Sequence, residues 1–276
     1  MSLTGDTFIS HLVELRDRMM RSLIAIIVAF ALIGFWPTYA VIYDFLALPL
    51  IQTLPAGSKM IATGVITPFL IPLKVGLMAA FLLVLPYVLY QAWAFVAPGL
   101  YAHEKKLVLP LVISSTILFI VGVAFCYYFV FGQLFRFIAG FAPSSITPAP
   151  DIEQYLSFVL TMFLAFGVAF EVPVAIIVLV RMGVVSIQQL REFRGYFVVC
   201  ASIAAAVVTP PDVVSMLALL IPMCLLYEAG IIAASLMSKV KAPEETEEKT
   251  ASTALTPEQT AQEFAALEKE QNSGGR

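Results

Sequence analysis

The sequence predicts an all-α polytopic membrane protein with six transmembrane helices, of which the fifth and sixth are short. Of its residues, 60% are hydrophobic and only 13% are charged, and the mean hydropathy is +0.92, which exceeds what a water-soluble core requires. Most of the apolar runs reach the roughly 20 residues that cross a hydrocarbon core of about 30 Å. The Lys and Arg residues gather in alternate loops, which is typical of a multi-pass protein.

The chain begins with an amphipathic helix that we expect to lie along the cytoplasmic membrane surface. Apolar and polar residues recur on opposite faces of this helix, namely Phe8, Leu12, Leu15 and Met19 against His11, Glu14 and Arg18. The first apolar run, 20–41, has no small-residue cleavage site and is too long for a removable signal sequence. We therefore expect this run to remain as the first span.

Five further spans follow along the chain. Those at 69–93, 107–131 and 156–180 have ordinary lengths, whereas 196–208 and 213–227 are short. A helix of about 13 residues reaches only about 20 Å, which is less than a normal bilayer requires. The short pair either crosses thinned lipid or re-enters the membrane, and both arrangements return the chain to the same side.

The distribution of positive residues in the short loops predicts the orientation. One side carries only Lys59, Lys74 and Arg136, and the other carries Arg16, Arg18, Arg21, Lys105, Lys106, Arg181, Arg191, Arg194, Lys239 and Lys241. Because Lys and Arg concentrate on the cytoplasmic side, both termini are predicted to be cytoplasmic. Residues 1–240 then form the integral membrane domain, and 241–276 form an acidic, largely disordered cytoplasmic tail.

The sequence lacks the motifs of common enzymes. It has no glycine-rich phosphate loop, no cluster of His and Cys ligands, and only His11 and His103 as ordinary bases. The three cysteines lie in apolar runs without paired spacing, which is typical of small buried hydrophobes. We therefore predict no catalytic activity, no cofactor, no metal and no nucleic-acid partner.

Glu171 is the most costly charge in the sequence. It lies ten residues before Arg181, or about 15 Å along a helix, and therefore near the bilayer midplane. An ionisable group there costs about 2.5–3.5 kcal/mol on insertion scales and indicates a functional site. The alternative is a protonated or internally hydrogen-bonded glutamate that only holds helices together. Lys74 and Glu228, nearer the membrane surfaces, are ambiguous.

Four separated motifs resemble the TatC family, the multispanning receptors of the twin-arginine protein translocase. They are Phe-x-x-Pro-x-Leu-Tyr-x-x-Glu at 95–104, His-Leu-x-Glu-Leu-Arg at 11–16, Phe-Gly-x-x-Phe-Glu-x-Pro at 166–173, and Thr-Pro-Pro-Asp at 209–212. They occur in the family's topological order, and the resemblance extends over about 7–238 of the chain. The tail falls outside it.

The resemblance implies a function that composition does not reveal. It implies export of folded proteins whose signal peptides carry two consecutive arginines, across the bacterial cytoplasmic membrane and driven by the proton-motive force. The expected partners are single-span membrane proteins of the TatA and TatB types, further copies of this chain in a larger complex, and the lipid bilayer.

The family motifs also suggest site residues. A carboxylate accepts paired hydrogen bonds from a planar guanidinium, which a lysine cannot reproduce, so Glu104 is suited to distinguish Arg from Lys. Glu14 is expected to bind the second arginine of the signal peptide. The remaining signal-peptide residues are Arg16, Phe95, Pro98, Leu100 and Tyr101. Glu171 is expected to be a polar point for partner helices, and Pro49 and Asp212 are expected to shape the outer side or contact partners.

Two other functions are compatible with parts of the sequence. The midplane Glu171 and the Pro-interrupted helices are also typical of a secondary transporter for a small solute, which would predict an inverted repeat. No such repeat is evident, because the Glu104 loop has no counterpart between the fourth and fifth spans. A structural membrane scaffold would leave Glu104 replaceable.

Overall fold

The computed structural model describes residues 3–34, 39–52, 60–96, 105–141, 149–209 and 213–253. These residues form helices and no strand; Ile61 and Asp151 form one isolated β-bridge. The chain divides into two compact units, 1–231 and 232–276. The second unit contains the end of the last helix, and the first unit contains all the sites discussed below.

The helices follow one another closely along the chain. In order they are α1 (Leu3–Ile33), α2 (Tyr39–Ile51), α3 (Thr67–Leu83), α4 (Leu85–Val96), α5 (Lys105–Phe125), α6 (Phe131–Phe141), α7 (Ile152–Phe170), α8 (Val172–Arg181), α9 (Ile187–Glu192), α10 (Arg194–Val208) and α11 (Val213–Thr253). A π-helical turn, Cys126–Val130, joins α5 to α6.

Three helical stretches within the described residues are long and apolar enough to cross a membrane. They are Val108–Gly140, Ile152–Arg181 and Val213–Met237, and α3 with α4 provides a fourth if this bent pair is a single span. Two further apolar helices are shorter, Val41–Ile51 and Arg194–Val208. The prediction of a helical multi-pass membrane protein is therefore confirmed, whereas the number of six spans and the orientation of the termini stay predictions.

The N-terminal region differs from its prediction in two ways. The amphipathic segment is not a separate surface helix, because α1 runs without a break from Leu3 to Ile33. No Gly or Pro occurs between Asp6 and Ile33 to interrupt it. The predicted span 20–41 is not one helix either, since α1 ends at Ile33, just before Gly34 and Pro37, and α2 begins at Tyr39.

The second and sixth predicted spans also differ from the structure. The second is bent by 63° between α3 and α4. Pro86 lies at the start of α4, where it lacks the N–H that would continue the α3 ladder. The sixth is longer than predicted, because Glu228 does not interrupt α11. That helix continues to Thr253, and the predicted domain boundary at 240/241 stays a prediction.

Of the apolar clusters among the described residues of the first unit, two position the helices of the candidate site. The larger one surrounds α7, where Leu156, Met162 and Phe166 are fully buried and pack with residues that include Val75 of α3 and Phe131 of α6. The smaller one joins α4, α5 and α8 through Leu85, Leu89, Trp93, Phe119, Val174 and Val178. Helix α1 packs against both α3 and α4. These contacts set the position of α4, on which the candidate site depends.

Candidate functional site

A cluster of polar and aromatic side chains forms where α1 packs against the last turns of α4. Gln91 and Phe95 are four residues apart and therefore lie on one face of α4. The ring of His11 on α1 stacks on Phe95, with centroids 4.4 Å apart and planes inclined by 17°. We call His11, Glu14, Arg18, Gln91 and Phe95 the surface cluster.

Glu14 is held in the surface cluster by Arg18. One carboxylate oxygen, Oε1, accepts hydrogen bonds from Nη2 and Nε of Arg18 at 2.6 and 2.9 Å. Arg18 also donates from Nη1 to Oε1 of the buried Gln91 at 3.2 Å, which connects the ion pair to α4. The second oxygen of Glu14, Oε2, lies 4.0 Å from Nδ1 of His11, and the Glu14 side chain remains 39% exposed. Glu14 is thus positioned and still accessible.

Arg16 lies outside this cluster. Its guanidinium pairs with the adjacent Asp17 at 2.8 Å, and its side chain is 69% exposed. Of the predicted signal-peptide residues, the structure therefore brings Glu14 and Phe95 together and leaves Arg16 on the exposed surface. Pro98, Leu100, Tyr101 and Glu104 lie outside the described residues, between the end of α4 at Val96 and the start of α5 at Lys105. Asp212 also lies outside them.

Glu171 occupies the break between α7 and α8. Pro173 lies within the first two positions of α8, and proline has no backbone N–H to donate to a carbonyl of the preceding turn of α7. The Glu171 amide still donates to the carbonyl of Val168 at 3.0 Å, and its own carbonyl accepts from Ala175 at 2.9 Å. The break places a carboxyl group inside the 30-residue stretch Ile152–Arg181, where no other polar side chain occurs between Met162 and Val180.

A short chain of hydrogen bonds reaches this carboxyl group from α4. Trp93 donates from Nε1 to Oγ of Ser115 on α5 at 2.8 Å, and Ser115 donates to Oε2 of Glu171. Ser115 is fully buried and Trp93 is 8% exposed. The other carboxyl oxygen, Oε1, is buried and has no hydrogen-bond partner among the described residues. Within the part of the chain that the structure describes, the Glu171 carboxyl is therefore only half satisfied.

The two ambiguous charges of the sequence both have partners. Lys74 on α3 pairs with Glu153 on α7 at 2.9 Å, and Glu153 also accepts from Thr67 at 2.9 Å. Glu228 on α11 pairs with Arg194 of α10 at 2.6 Å. These charges join neighbouring helices, which explains how two apolar stretches tolerate them.

Pro49 lies in α2 and lines a cleft of about 380 Å³ between α2 and the π-helical turn with α6. The other lining residues are Phe45, Leu48, Gln52, Tyr127, Tyr128, Gly132 and Arg136. Tyr127 donates a hydrogen bond from its hydroxyl to the carbonyl of Phe45 at 2.7 Å, which fixes the spacing of the walls. Pro49 therefore contributes to the wall of this cleft as well as to helix α2.

The sequence reasoning did not identify Gln91, Trp93 and Ser115. Each carries a polar group within an apolar stretch, and such a group in a membrane helix normally needs a hydrogen-bond partner. The cost of leaving such a group unpaired could therefore have pointed to these three residues from the sequence. It does not identify the partner, because Ser115 and Glu171 are 56 positions apart and no spacing rule connects them.

Comparisons with known proteins agree with this architecture. The family model for the Sec-independent protein translocase protein (TatC) matches residues 10–222. The TatC proteins of Haemophilus influenzae and Escherichia coli K12 are each 48% identical, over 226 and 223 residues; the matches cover 82% and 81% of this chain and 88% and 86% of theirs. The TatC protein of Halothiobacillus neapolitanus is also 48% identical over 85% of this chain, which spans 63% of that longer relative.

A solved structure described as the crystal structure of the twin-arginine translocase receptor TatC has a similar fold. It matches with a TM-score of 0.72 and 35% identity, covering 83% of this chain and 99% of the other. Fold and matches together define a multi-pass helical membrane protein of a protein transport system, a class distinct from enzymes and from small-solute transporters. Within that class, the chain belongs to the TatC family of Sec-independent protein translocase proteins.

Proposed function

We propose that this chain is the receptor subunit that recognises twin-arginine signal peptides for the export of folded proteins. The observation that carries the proposal is the position of Glu14. Arg18 and Gln91 hold this carboxylate against α4, beside the stack of His11 on Phe95. The chain then continues from Phe95 into the segment that contains Glu104.

Guanidinium chemistry supports arginine as the ligand. A carboxylate and a guanidinium can form two parallel charge-assisted hydrogen bonds, and an ammonium group offers no matching planar fork. We assign one peptide arginine to Glu104 and the other to Glu14. Because Arg18 occupies only Oε1 of Glu14, the oxygen Oε2 near His11 is the one that would accept from the peptide.

The remaining signal-peptide residues have supporting roles in this proposal. Phe95, Leu100 and Tyr101 offer apolar and aromatic contacts to residues that flank the arginine pair. Pro98 restricts the backbone of their connecting segment. Arg16 belongs to the same sequence motif as Glu14, and its exposed guanidinium is available to acidic groups near the signal peptide.

The surrounding assembly is part of the proposal. We infer single-span partners of the TatA and TatB types, self-association, and coupling to the proton-motive force across the bacterial cytoplasmic membrane, with six spans and both termini cytoplasmic. The asymmetric Lys and Arg distribution supports that orientation. Glu171 is a candidate contact for partner helices, since its Oε1 has no hydrogen-bond partner among the described residues. Pro49 and Asp212 are assigned to the outer surface and its partner contacts.

Site-specific photocrosslinking tests the receptor function. A twin-arginine signal peptide carrying a photoreactive residue is compared with its Lys-Lys version on membranes containing the wild type, Glu104→Gln or the control Glu192→Gln. Glu192 is a glutamate of α9 at the predicted cytoplasmic surface, outside the surface cluster. We expect labelling of the segment 95–104 only for the Arg-Arg peptide on the wild type and the control. Equal labelling in every combination would reject the proposal.

A further inference from the structure

One face of helix α4 contributes residues to the surface cluster, and the opposite face contributes Trp93 to the hydrogen-bond chain that ends at Glu171. Gln91 and Phe95 face α1, where they meet Arg18 and His11. Trp93 is two residues from each of them and therefore about 200° around the helix. It faces α5, where it donates a hydrogen bond to Ser115. A displacement of α4 therefore acts on both groups of contacts together.

The geometry of α4 suits it to move as one piece. It has only 12 residues, and the 63° bend next to Val84 separates it from α3. Its inner face packs through Leu85, Leu89 and Trp93 into the smaller apolar cluster, which also contains Val174 and Val178 of α8. Those two residues lie three and seven positions after Glu171, in the first two turns of α8, so α4 and the helix that begins at the Glu171 break pack in one cluster.

The Glu171 end of the connection is sensitive to small shifts. The hydrogen bond from Ser115 is the one that the Glu171 side chain makes within the described residues, and its Oε1 is buried without a partner. Hydrogen bonds in a chain strengthen one another in a low-dielectric interior, so a change at Trp93 is felt at the carboxyl group. A carboxyl that loses the Ser115 bond is then available to an outside donor.

We propose that Trp93 and Ser115 are positioning residues that couple occupancy of the surface cluster to the hydrogen bonding of Glu171. A signal peptide that binds to Glu14 and Phe95 displaces α4, and the Trp93 side chain therefore moves relative to Ser115. Glu171 then exchanges its internal bond for one to a polar group of a partner helix. This inference rests on the proposed function, because the peptide that moves α4 is the twin-arginine signal peptide.

Tryptophan fluorescence measures the displacement directly. The sequence has two tryptophans, so Trp36→Phe leaves Trp93 as the single reporter in the full chain. The protein is placed in lipid nanodiscs and titrated with the Arg-Arg or the Lys-Lys signal peptide, both free of tryptophan. Peptide binding is followed independently by the anisotropy of a dye on the peptide. We expect the emission maximum of Trp93 to shift in proportion to Arg-Arg peptide binding and to stay unchanged with Lys-Lys.

Export assays with matched serine variants test the functional consequence. Ser115→Ala removes the hydroxyl that accepts from Trp93 and donates to Glu171, whereas Ser114→Ala changes the adjacent residue, whose hydroxyl donates to the Leu111 carbonyl of its own helix. Because peptide binding then no longer changes the hydrogen bonding of Glu171, we expect Ser115→Ala and Trp93→Phe to lower export roughly tenfold, the equivalent of one buried hydrogen bond. Coupling is reciprocal, so the Arg-Arg peptide should bind these variants at least as tightly as the wild type, since it no longer has to break the internal bond. We expect Ser114→Ala to export normally.

The outcomes separate the two proposals. If the Arg-Arg peptide binds with full anisotropy change but Trp93 emission stays constant and Ser115→Ala exports like Ser114→Ala, the coupling is wrong and the receptor function stands. If the Arg-Arg peptide fails to bind in preference to Lys-Lys, the receptor function itself is wrong. A reduced protein level of Ser115→Ala in the membrane would be corrected for by normalising export to the amount of inserted protein.

Discussion

At the residue scale, charged side chains in and beside the apolar helices form ion pairs, some of which join two helices. Lys74 with Glu153 joins α3 to α7, and Arg194 with Glu228 joins α10 to α11. Glu14 with Arg18 lies within α1, and Gln91 connects that pair to α4. Glu171 differs from these partly exposed carboxylates because one of its oxygens is buried without a hydrogen-bond partner among the described residues. That difference supports a functional interpretation of Glu171.

Asp151 shows how a single half-buried carboxylate organises the start of α7. Its Oδ1 accepts from the amides of Glu153 and Gln154, which caps the helix. Its Oδ2 accepts from the amide and the hydroxyl of Thr63, which attaches the segment before α3. The Thr63 hydroxyl is the main cause that lowers the pKa of Asp151 below its usual value, and the backbone amides add to it.

This lowered pKa predicts an acid-sensitive attachment of Thr63 to α7. Because the folded protein favours the ionised form, Asp151 contributes stability above its ordinary pKa of about 3.9, and the contribution is lost as the pH falls through the lower folded value. Unfolding in detergent micelles should therefore show a stability difference between the wild type and Asp151→Asn that is constant near neutral pH and shrinks as the pH falls below the ordinary carboxyl range. A difference that is independent of pH would contradict this role.

At this scale the sequence predicts which residues matter better than what they contact. The cost of a carboxyl group at Glu171, in an apolar stretch, was readable from the chain, as were the polar faces of Glu14 and Arg18. Their partners Ser115 and Gln91 were not, because these contacts join residues 56 and 73 positions apart. Tertiary packing decides such pairs, and periodicity along one helix carries no information about it.

At the element scale, the sequence predicts apolar stretches well and their breaks poorly. The runs 107–131 and 156–180 correspond to helical stretches, but the structure inserts a π-helical turn at Cys126–Val130 and a break at Glu171. Pro173 explains the second feature. Prolines also lie inside α3 and α5 at Pro72 and Pro110, where the helices continue, so a proline alone does not determine a break.

The crossing of α5 and α7 depends on two glycines that let the helices approach closely. A Cβ atom on Gly122 would lie 2.7 Å from the carbonyl oxygen of Phe166, and one on Gly167 would overlap the ring of the buried Phe119. Small residues at a membrane helix interface allow the backbones to pack in this way. These helices also carry Ser115 and adjoin Glu171, so their separation affects the candidate site.

We predict that Gly122→Ala destabilises the protein by about 1–3 kcal/mol, because the carbonyl of Phe166 is backbone and has little freedom to move. The matched control is Gly140→Ala in α6, where a Cβ meets no atom within 4 Å. There the alanine should be neutral or stabilise the helix by up to about 1 kcal/mol. Denaturant titrations in mild detergent measure both free energies of unfolding. Equal effects of the two substitutions would show that close packing does not limit this crossing.

At the scale of the whole molecule, composition and motif order determine class and family, and the matches to residues 10–222 confirm both. Large apolar side chains remain exposed on several helices, among them Ile24 and Ile27 of α1 and Ile113 and Ile117 of α5. Such surfaces suit lipid as the surrounding solvent. The span count was less predictable, because α1 ends early and α3 and α4 bend, which hydropathy alone does not reveal.

The central claim concerns recognition of paired arginines, and equilibrium binding tests it most directly. Dye-labelled signal peptides with Arg-Arg or Lys-Lys are titrated against the full chain in nanodiscs, and the two Kd values are compared for the wild type, Glu104→Gln and Glu14→Gln. Each lost hydrogen bond to a charged group is worth about 1.5–3 kcal/mol, so we expect the Arg-Arg peptide to bind the wild type at least roughly tenfold more tightly. Either substitution should reduce that ratio. Equal Kd values for the two peptides on the wild type would contradict the account.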